Sequence, residues 1–531
     1  MATRKPSRGK PSEPARTPPG AAALAHLLDR MDEAVLAADQ AQVMDLMEQL
    51  WPSRRQVPGV LAQRLSSGQA RVPAFAFELL EGFAGLRAKT HLRRIAQDQS
   101  APDLVRFGAQ RRSGWPERGE AKRRLAFLAS FRDADGTLVA AVKDGAAMWP
   151  PDGDVFQEVL GYLVVLPVER QQALVTRFAR EVEIGAGWLL HAIVHLDAPA
   201  VQRAALDELV RMREPGAAGA IARLESTTRD AGLRADTAAA LQRLRIQVVD
   251  PSQRVEFPPF PPVERALLSI IDGGGSQAIV VVRRWGDGVF LLADFWCRDD
   301  WGIRDTIGLS RVVADQLQEV LEEFEAEGVD LVEVDLAAVR GALAGAVALN
   351  AATGHRLPPV FECWEPLVHE AYPPPEGEPV VAPELEDAPY AARQDLVRSS
   401  GRLLDHAFFA SWGFDPGETS QAMAGVPPPR GGRWTDRQYR PLVERLVDPQ
   451  TCARLRQRLR RQAWLLERSG DTPQRDLALA TAASLSGAGP ADLVKHPFVR
   501  TLVQRSVEDV LAEALAVLPF PPLGPEEETS D

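Results

Sequence analysis

The chain has 531 residues, of which 45% are hydrophobic and 25% are charged, and its formal net charge is -12. This length and this supply of apolar side chains predict a folded protein of about three or four domains. We find no run of about 18 apolar residues that would cross a bilayer and no apolar stretch of a signal peptide at the N-terminus, so we expect a cytoplasmic protein that does not bind membranes.

The cysteines indicate neither disulfides nor a metal centre. Cys297, Cys363 and Cys452 are too few and too scattered for a disulfide framework. His355 and His369 could complete a zinc site with two of them only if the fold gathered all four, because no two have the spacing of a zinc knuckle. We therefore expect buried thiols and no metal or other cofactor.

The first half of the chain is predicted to be helical. Residues 1–20 are rich in Pro, Arg, Lys and Ser, which predicts a disordered basic arm. Within residues 21–247, apolar residues recur with helical spacing, as at Leu24, Leu28 and Met31. This region is expected to be one helical domain.

A strongly basic segment lies inside this helical region. Between Arg54 and Arg132 there are sixteen Lys or Arg and six acidic residues, so the segment has a charge of +10. If cations near the predicted helix ends shared one surface, they could neutralise the phosphates of a nucleic acid. Arginines also commonly coat soluble helices, and the acidic remainder of the chain would repel a polyanion. The candidate binding residues are Arg93, Arg94, Arg111, Arg112, Lys122, Arg123 and Arg124.

A repeat is evident in the sequence itself. The pattern of residues 201–212 returns in residues 233–244, an offset of 32 residues. Self-similarity at this period is typical of helix pairs stacked in a solenoid. Stacking predicts that the apolar faces are buried between layers, including Leu206, Leu209, Ala238 and Leu241.

Residues 198–245 resemble HEAT-like repeats, particularly the short kind first noted in phycobilin lyases. The pattern is carried by a helix at 201–209, a turn at 214–216 and a second apolar helix at 217–224. The resemblance implies an α-solenoid that binds a partner, but no common activity, since members of the family include scaffolds, lyases and DNA glycosylases. Together with the scarcity of Lys relative to Arg, it indicates a bacterial protein.

A β-hairpin is predicted after the helical region. Residues 248–262 are rich in proline, which removes backbone donors, and they are expected to form a linker. The runs 278–284 and 289–296 are rich in β-branched and aromatic residues and are separated by a turn at 285–288. This pattern is typical of a hairpin.

Two helices are predicted to complete a small α+β domain at 263–371. They lie at 311–326 and 335–350, and the first has an apolar side formed by Val312, Val313, Leu317, Val320, Leu321 and Phe324. We expect the first helix to cover one face of the hairpin, because an isolated hairpin is only marginally stable.

This region also resembles an uncharacterised bacterial α+β domain that follows HEAT-like repeats. The matching features are the turn at 272–276, the Gly-Ile-Arg-Asp segment at 302–305, Asn350 at a helix end and the Leu-Pro-Pro turn at 357–359. The resemblance implies an architecture but no reaction.

Four aspartates close to the hairpin are a candidate for chemistry. Clustered carboxylates can hold Mg²⁺ or share protons when they are close together. Turn formation, helix capping and ion pairs with Arg298 or Arg304 would explain them equally well. The four residues are Asp294, Asp299, Asp300 and Asp305.

The C-terminal third is predicted to be a helical bundle. An acidic, proline-rich linker at 372–387 leads to helices within 388–518, interrupted by a Pro/Gly-rich loop at 411–434. A helix at 451–468 is preceded by Asp448 as its cap and Pro449 in its first turn. The acidic tail at 519–531 is expected to be solvated.

The sequence thus predicts a mainly α protein: a HEAT-like α-solenoid, a small α+β domain with a β-hairpin, and a C-terminal helical bundle. We expect a non-catalytic scaffold or adaptor that binds a protein partner through its repeat surface. Two alternatives remain: a nucleic-acid-binding protein that uses residues 54–132, and an enzyme with an acidic site between Asp294 and Asp305.

Overall fold

A computed structural model places most of the chain. Contacts between Cα atoms divide the chain into two compact units, which are residues 1–148 with 155–182 (unit 1) and residues 149–154 with 183–531 (unit 2). The predicted domain bounds stay predictions. The described residues are 20–37, 39–114, 121–182, 185–246, 257–286, 288–373, 382–426 and 435–517. The predicted arm up to residue 19, the tail, and parts of both linkers and of the 411–434 loop lie outside them.

Unit 1 consists of helices joined by short connections. Asp39 begins the second helix by accepting a hydrogen bond from the backbone N–H of Gln42, and Pro73 occupies the first turn of the fourth. Consecutive helices pack in pairs, the first with the second and the third with the fourth. The helices are α1 (Ala21–Leu36), α2 (Gln40–Leu50), α3 (Val57–Ser66), α4 (Pro73–Ala84), α5 (Ala88–Gln97), α6 (Asp103–Ser113), α7 (Ala121–Ala129), α8 (Ala134–Ala146), α9 (Gly153–Leu163, from residue 155 onward) and α10 (Val168–Glu181).

In unit 2, α11 (Ala186–Ile193) precedes the helices of the sequence repeat, which are α12 (Pro199–Met212), α13 (Ala217–Thr227) and α14 (Ala231–Ile246). Leu206, Leu209 and Leu241 are buried as predicted. The prediction for Ala238 is wrong, because this residue is exposed. The buried stripe of α14 follows helical spacing from its first member, and its members are Leu233, Thr237, Ala240 and Leu241.

An antiparallel sheet of five strands follows, with the order β4-β3-β2-β1-β5. The predicted hairpin is confirmed, since β2 and β3 pair along their length, with Ala278 opposite Trp296 and Val280 opposite Asp294. Sequence patterning predicted only these two strands. The strands are β1 (Val263–Ser269), β2 (Ser276–Gly286), β3 (Val289–Arg298), β4 (Gly302–Val313) and β5 (Leu331–Glu333).

The predicted helix at 311–326 begins later than expected. Residues 311–313 continue β4, and α15 (Ala314–Ala326) starts after them. Val313 is therefore exposed rather than buried. The remaining apolar side of α15 packs against one face of the sheet as predicted, with Leu317, Leu321 and Phe324 in one core cluster with strand residues.

A second helix, α16 (Leu336–Thr353), also packs on the sheet. Asp335 caps its start by accepting a hydrogen bond from Ala338 N. Near its end, Asn350 accepts a hydrogen bond from Ile303 N at 2.6 Å and donates one to Ile303 O at 3.1 Å. These bonds fix α16 against β4.

Of the helices that the structure describes, α16 is the one long and apolar enough to cross a membrane by length and composition, with a mean hydropathy of 1.4. This run was not predicted as a candidate span from the sequence, because Arg340 and Asn350 interrupt its apolar residues. About a third of this apolar window is buried (33%), and a single helix of this kind is weak support for a membrane span.

The remainder of unit 2 is helical. Asp448 accepts a hydrogen bond from Thr451 N at 2.6 Å, and Pro449 is the first residue of the helix that follows, α21 (Pro449–Arg468). The predicted cap is therefore confirmed. Leu459, Leu466 and Ala478 belong to a shared apolar core. The helices are α17 (Phe361–Trp364), α18 (Gln394–Val397), α19 (Pro416–Met423), α20 (Asp436–Leu446), α21 (Pro449–Arg468), α22 (Thr472–Leu485), α23 (Pro490–Leu493) and α24 (Pro497–Val517).

Candidate binding surface

The seven candidate cations lie on three helices of unit 1. Four of them are exposed, namely Arg93, Arg94, Lys122 and Arg123, and the other three are half-buried. Helix α5 carries the first pair and packs against α6. The half-buried residues are Arg111 and Arg112 on α6 and Arg124 on α7.

Two of the half-buried arginines are tied to carboxylates. Arg112 Nη1 lies 2.6 Å from Glu81 Oε2, and its guanidinium is 5.4 Å from the centre of the Phe77 ring. Arg124 Nη1 lies 2.8 Å from Glu158 Oε1. Such contacts hold helices together, and they reduce the charge that these arginines could present to a phosphate.

Other cations of the basic segment are also used inside unit 1. Arg64 is almost fully buried and pairs with Asp29 at 2.7 Å and Asp32 at 3.0 Å. Arg106 is buried and donates a hydrogen bond to Ser130 O at 2.9 Å, and burial lowers the pKa of its guanidinium. The basic residues that give this segment its charge of +10 therefore do not form one continuous basic surface.

Unit 1 also exposes an aromatic patch that the sequence analysis did not identify. Trp51 is 59% exposed and Met44 is 64% exposed. The guanidinium carbon of Arg54 lies 5.5 Å from the centre of the Trp51 ring, and the Phe83 ring centre lies 6.1 Å from it. We call these four residues the Trp51 surface.

Local structure explains how the Trp51 surface is formed. Helix α2 passes directly into a 3-10 turn at Trp51–Ser53, so Trp51 follows Met44 by two helical turns and lies on the same side. Leu50, which precedes Trp51, is fully buried. Phe83 lies near the end of α4, where Gly85 adopts a positive φ of 51° that favours glycine.

The four aspartates of the predicted acidic site do not share one site. Asp299 accepts hydrogen bonds from Arg458, and Asp300 accepts one from Arg298 at 2.9 Å. Asp305 is exposed and accepts a hydrogen bond from a neighbouring backbone N–H. In the described part of the chain, no group of three or more His, Cys, Asp or Glu is placed to hold a metal ion.

Asp294 differs from the other three because it is buried in the sheet. Its Oδ2 accepts a hydrogen bond from Trp296 Nε1 at 2.7 Å, whereas Oδ1 has no hydrogen-bond partner among the described residues. Burial, with a smaller contribution from the negative charge of Asp305, raises the pKa of Asp294 to about 7. A carboxyl group of this kind titrates near neutral pH.

The proposed zinc ligands have separate partners. The His355 ring stacks on Trp301 with ring centres 3.4 Å apart, and His369 Nε2 lies 2.8 Å from Glu365 Oε1. The three cysteines are buried free thiols, as expected, and burial raises the pKa of Cys297 to about 12.

A buried ionic cluster lies in unit 2, between the repeat helices and the segment that contains α17. Arg223 donates two hydrogen bonds to Glu362, at 2.8 and 2.6 Å. His195 Nε2 lies 3.1 Å from the same carboxylate. We call this the buried cluster, and its members are His191, His195, Glu214, Arg223, Glu362, Glu365, His369 and Tyr372.

Electrostatics in the buried cluster are dominated by burial and by the opposing charges. Burial disfavours ionisation of Glu362, but the charge and hydrogen bonds of Arg223, with those of His195, outweigh it and hold the pKa of this carboxyl below its usual value. Burial likewise opposes protonation of His191, but the Glu214 carboxylate raises the pKa of this histidine. In the sequence, His191 and His195 are four residues apart, and nothing near them indicates a pairing with Glu214 or Glu362.

Comparisons with protein-family models, with curated proteins and with solved structures found no match to the chain. The two family resemblances described above therefore stay predictions. Any function has to be inferred from the geometry and chemistry of the described residues.

Proposed function

We propose that the protein is a non-catalytic cytoplasmic adaptor, in which a HEAT-like helical array binds a protein partner through the Trp51 surface. The observation that carries this proposal is an exposed tryptophan with an arginine stacked on its ring. Trp, Met and Arg are enriched in the cores of protein interfaces. Trp and Arg are also the residues whose truncation most often costs binding energy.

The arginines near the Trp51 surface favour a partner that presents carboxylates, and the exposed acidic residues nearby on α2 are Asp45 and Glu48. Arg54 is followed by Arg55, and Arg87 comes four residues after Phe83; all three arginines are exposed. Complementary charges accelerate association and select among partners. We therefore infer that the partner presents an apolar pocket for Trp51 surrounded by carboxylates.

Nucleic-acid binding is the second candidate, and one observation favours it. Arg93, Arg94 and Lys122 are exposed and form no ion pair with the described residues. Against it, Arg112 and Arg124 are paired with carboxylates, so the candidate cations do not form an unbroken row of free charges. Phosphate neutralisation needs several such charges acting together.

A comparative pull-down tests the protein-binding proposal. The intact protein, Trp51→Ala and the control Val164→Ala, which truncates another exposed apolar residue of unit 1, are used as baits, and bound proteins are quantified by mass spectrometry. A specific partner should be retained by the control and lost with Trp51→Ala, and with the purified partner the dissociation constant should rise about 30-fold. Equal capture by all three baits would contradict the proposal.

A further inference from the structure

Unit 2 contains a cavity of about 320 Å³ between the sheet, α16 and α21. One wall is formed by small apolar residues of α16, from Ala342 to Ala352. The opposite wall is polar and includes Gln277 of β2, together with Gln457 and Arg461 of α21. This volume lies at the lower end of the range of small-molecule sites.

Arg461 is a cation without a counter-ion of its own. Its side chain is half-buried, and Nη2 donates a hydrogen bond to Gln277 Oε1 at 2.5 Å. No ion pair joins it to any described carboxylate, and burial lowers the pKa of its guanidinium. A buried charge is normally paired, because removal from water is costly.

The two carboxylates that influence Arg461 most are already bound elsewhere. Asp299 accepts hydrogen bonds from Arg458, and Glu384 lies 3.2 Å from Arg460. Arg298, which also lines the cavity, is bonded to Asp300. Arg461 is therefore the cavity-lining cation that remains without a carboxylate partner in the described part of unit 2.

We propose that this cavity binds a small organic monocarboxylate, with the carboxylate on Arg461 and the carbon body on the small residues of α16. A planar guanidinium matches the two oxygens of a carboxylate. The α16 wall offers carbon contacts and no donors from its side chains, which suits an aliphatic or aromatic body. The site is independent of the Trp51 surface.

The same features disfavour a phosphate ligand. A phosphate group carries nearly two negative charges at neutral pH, whereas Arg461 supplies one positive charge that is not already paired. A hydrated dianion would also lie against the apolar wall of α16. A monoanion with a carbon body fits both walls.

Ligand titrations of the intact protein test the proposal. Hexanoate is the probe, and hexanol, hexylamine and inorganic phosphate are the comparison compounds, with binding measured by calorimetry and by the shift in melting temperature. Hexanoate should bind and raise the melting temperature, and the other three should not. Equal binding of hexanol or phosphate, or no binding of hexanoate, would overturn the proposal.

Two pairs of variants locate the binding to the cavity. Arg461→Gln should weaken hexanoate binding about tenfold or more, whereas Arg468→Gln, on the same helix and outside the cavity, should not. Ala346→Leu fills the cavity and should abolish binding, whereas Ala344→Leu on the exposed side of α16 should preserve it. Unchanged binding by Ala346→Leu refutes the proposal even if Arg461→Gln does not fold.

Discussion

Arginine serves different purposes in the buried cluster of unit 2 and on α5 of unit 1. Arg223 faces Glu362, whose side chain is 1% exposed, and Glu365, whose side chain is 11% exposed. Arg93 and Arg94 lie in solvent without an ion pair among the described residues. Water screens the second kind of charge, whereas the first depends on its counter-ion. Burial, which composition does not reveal, decides what each arginine does.

The largest effect is expected when the buried cluster loses a charge. Glu362→Gln leaves Arg223 buried without its main partner, so the free energy of unfolding should fall by about 3–5 kcal/mol. Denaturant titration followed by circular dichroism measures the change. The control is Asp207→Asn, which breaks an exposed pair with Arg243 and should cost about 1 kcal/mol or less. Equal losses of stability in the two variants would show that the buried pair contributes no more than the exposed one.

Asp294 is a buried carboxyl without a cation partner, so the loss of its charge should stabilise the protein rather than destabilise it. The pKa of Asp294 is about 7 in the folded protein and about 4 in the unfolded chain. Between these values the folded state holds more protons, so its stability should fall as pH rises from about 4 to 7 and then level off. Asp294→Asn should therefore stabilise the protein at pH 8 by roughly 1–3 kcal/mol.

Measurements of unfolding across pH test this expectation for Asp294. The difference between Asp294→Asn and the parent protein should shrink as pH falls to about 4, where the parent carboxyl is neutral. A variant that is equally destabilised at every pH would show that Asp294 is ionised and satisfied in the folded state.

Intermediate effects are expected where an arginine is half-buried. Arg124→Ala removes the pair with Glu158 and the contact of the guanidinium with the Tyr162 ring, whose centre is 5.0 Å away. The free energy of unfolding should fall by about 1–2 kcal/mol. Thermal melting compares this variant with Lys122→Ala, two residues earlier on α7 and exposed, which should melt like the parent.

The smallest effect on stability is expected for the double variant Arg93→Ala/Arg94→Ala. Both residues are exposed, so stability should change by no more than about 0.5 kcal/mol. Fluorescence anisotropy with duplex and single-stranded nucleic acid at low and moderate salt provides a second readout, in which the intact protein should bind weakly. Tight, salt-sensitive binding that the double variant loses would favour nucleic acid over a protein partner.

Local signals predicted local structure well. The pairing of β2 with β3 and the Asp448 cap of α21 are encoded by neighbouring residues, and both are confirmed. Val312 and Val313 fit either the end of a strand or the start of a helix. The predicted start of α15, at residue 311, was therefore too early, because the helix begins at Ala314. Ala238 was assigned by its position in the repeat, but the buried stripe of α14 passes beside it.

The candidate sites depend on contacts between distant residues. Arg223 and Glu362 are separated by 139 positions, and nothing in either neighbourhood predicts their pairing. Trp51 follows the buried Leu50, and only the packing of α2 shows that its ring is exposed. The monocarboxylate site likewise requires α16 and α21 to be brought together around Arg461.

The order of the sheet also bears on how the protein resists self-association. Its outer strands are β5, which has three residues, and β4, whose pairing with β3 shifts register twice. Arg304 and Asp305 are exposed on β4. Short, irregular or charged edges are poor templates for the addition of another strand. The addition of a strand from another copy is therefore disfavoured at both edges of this sheet.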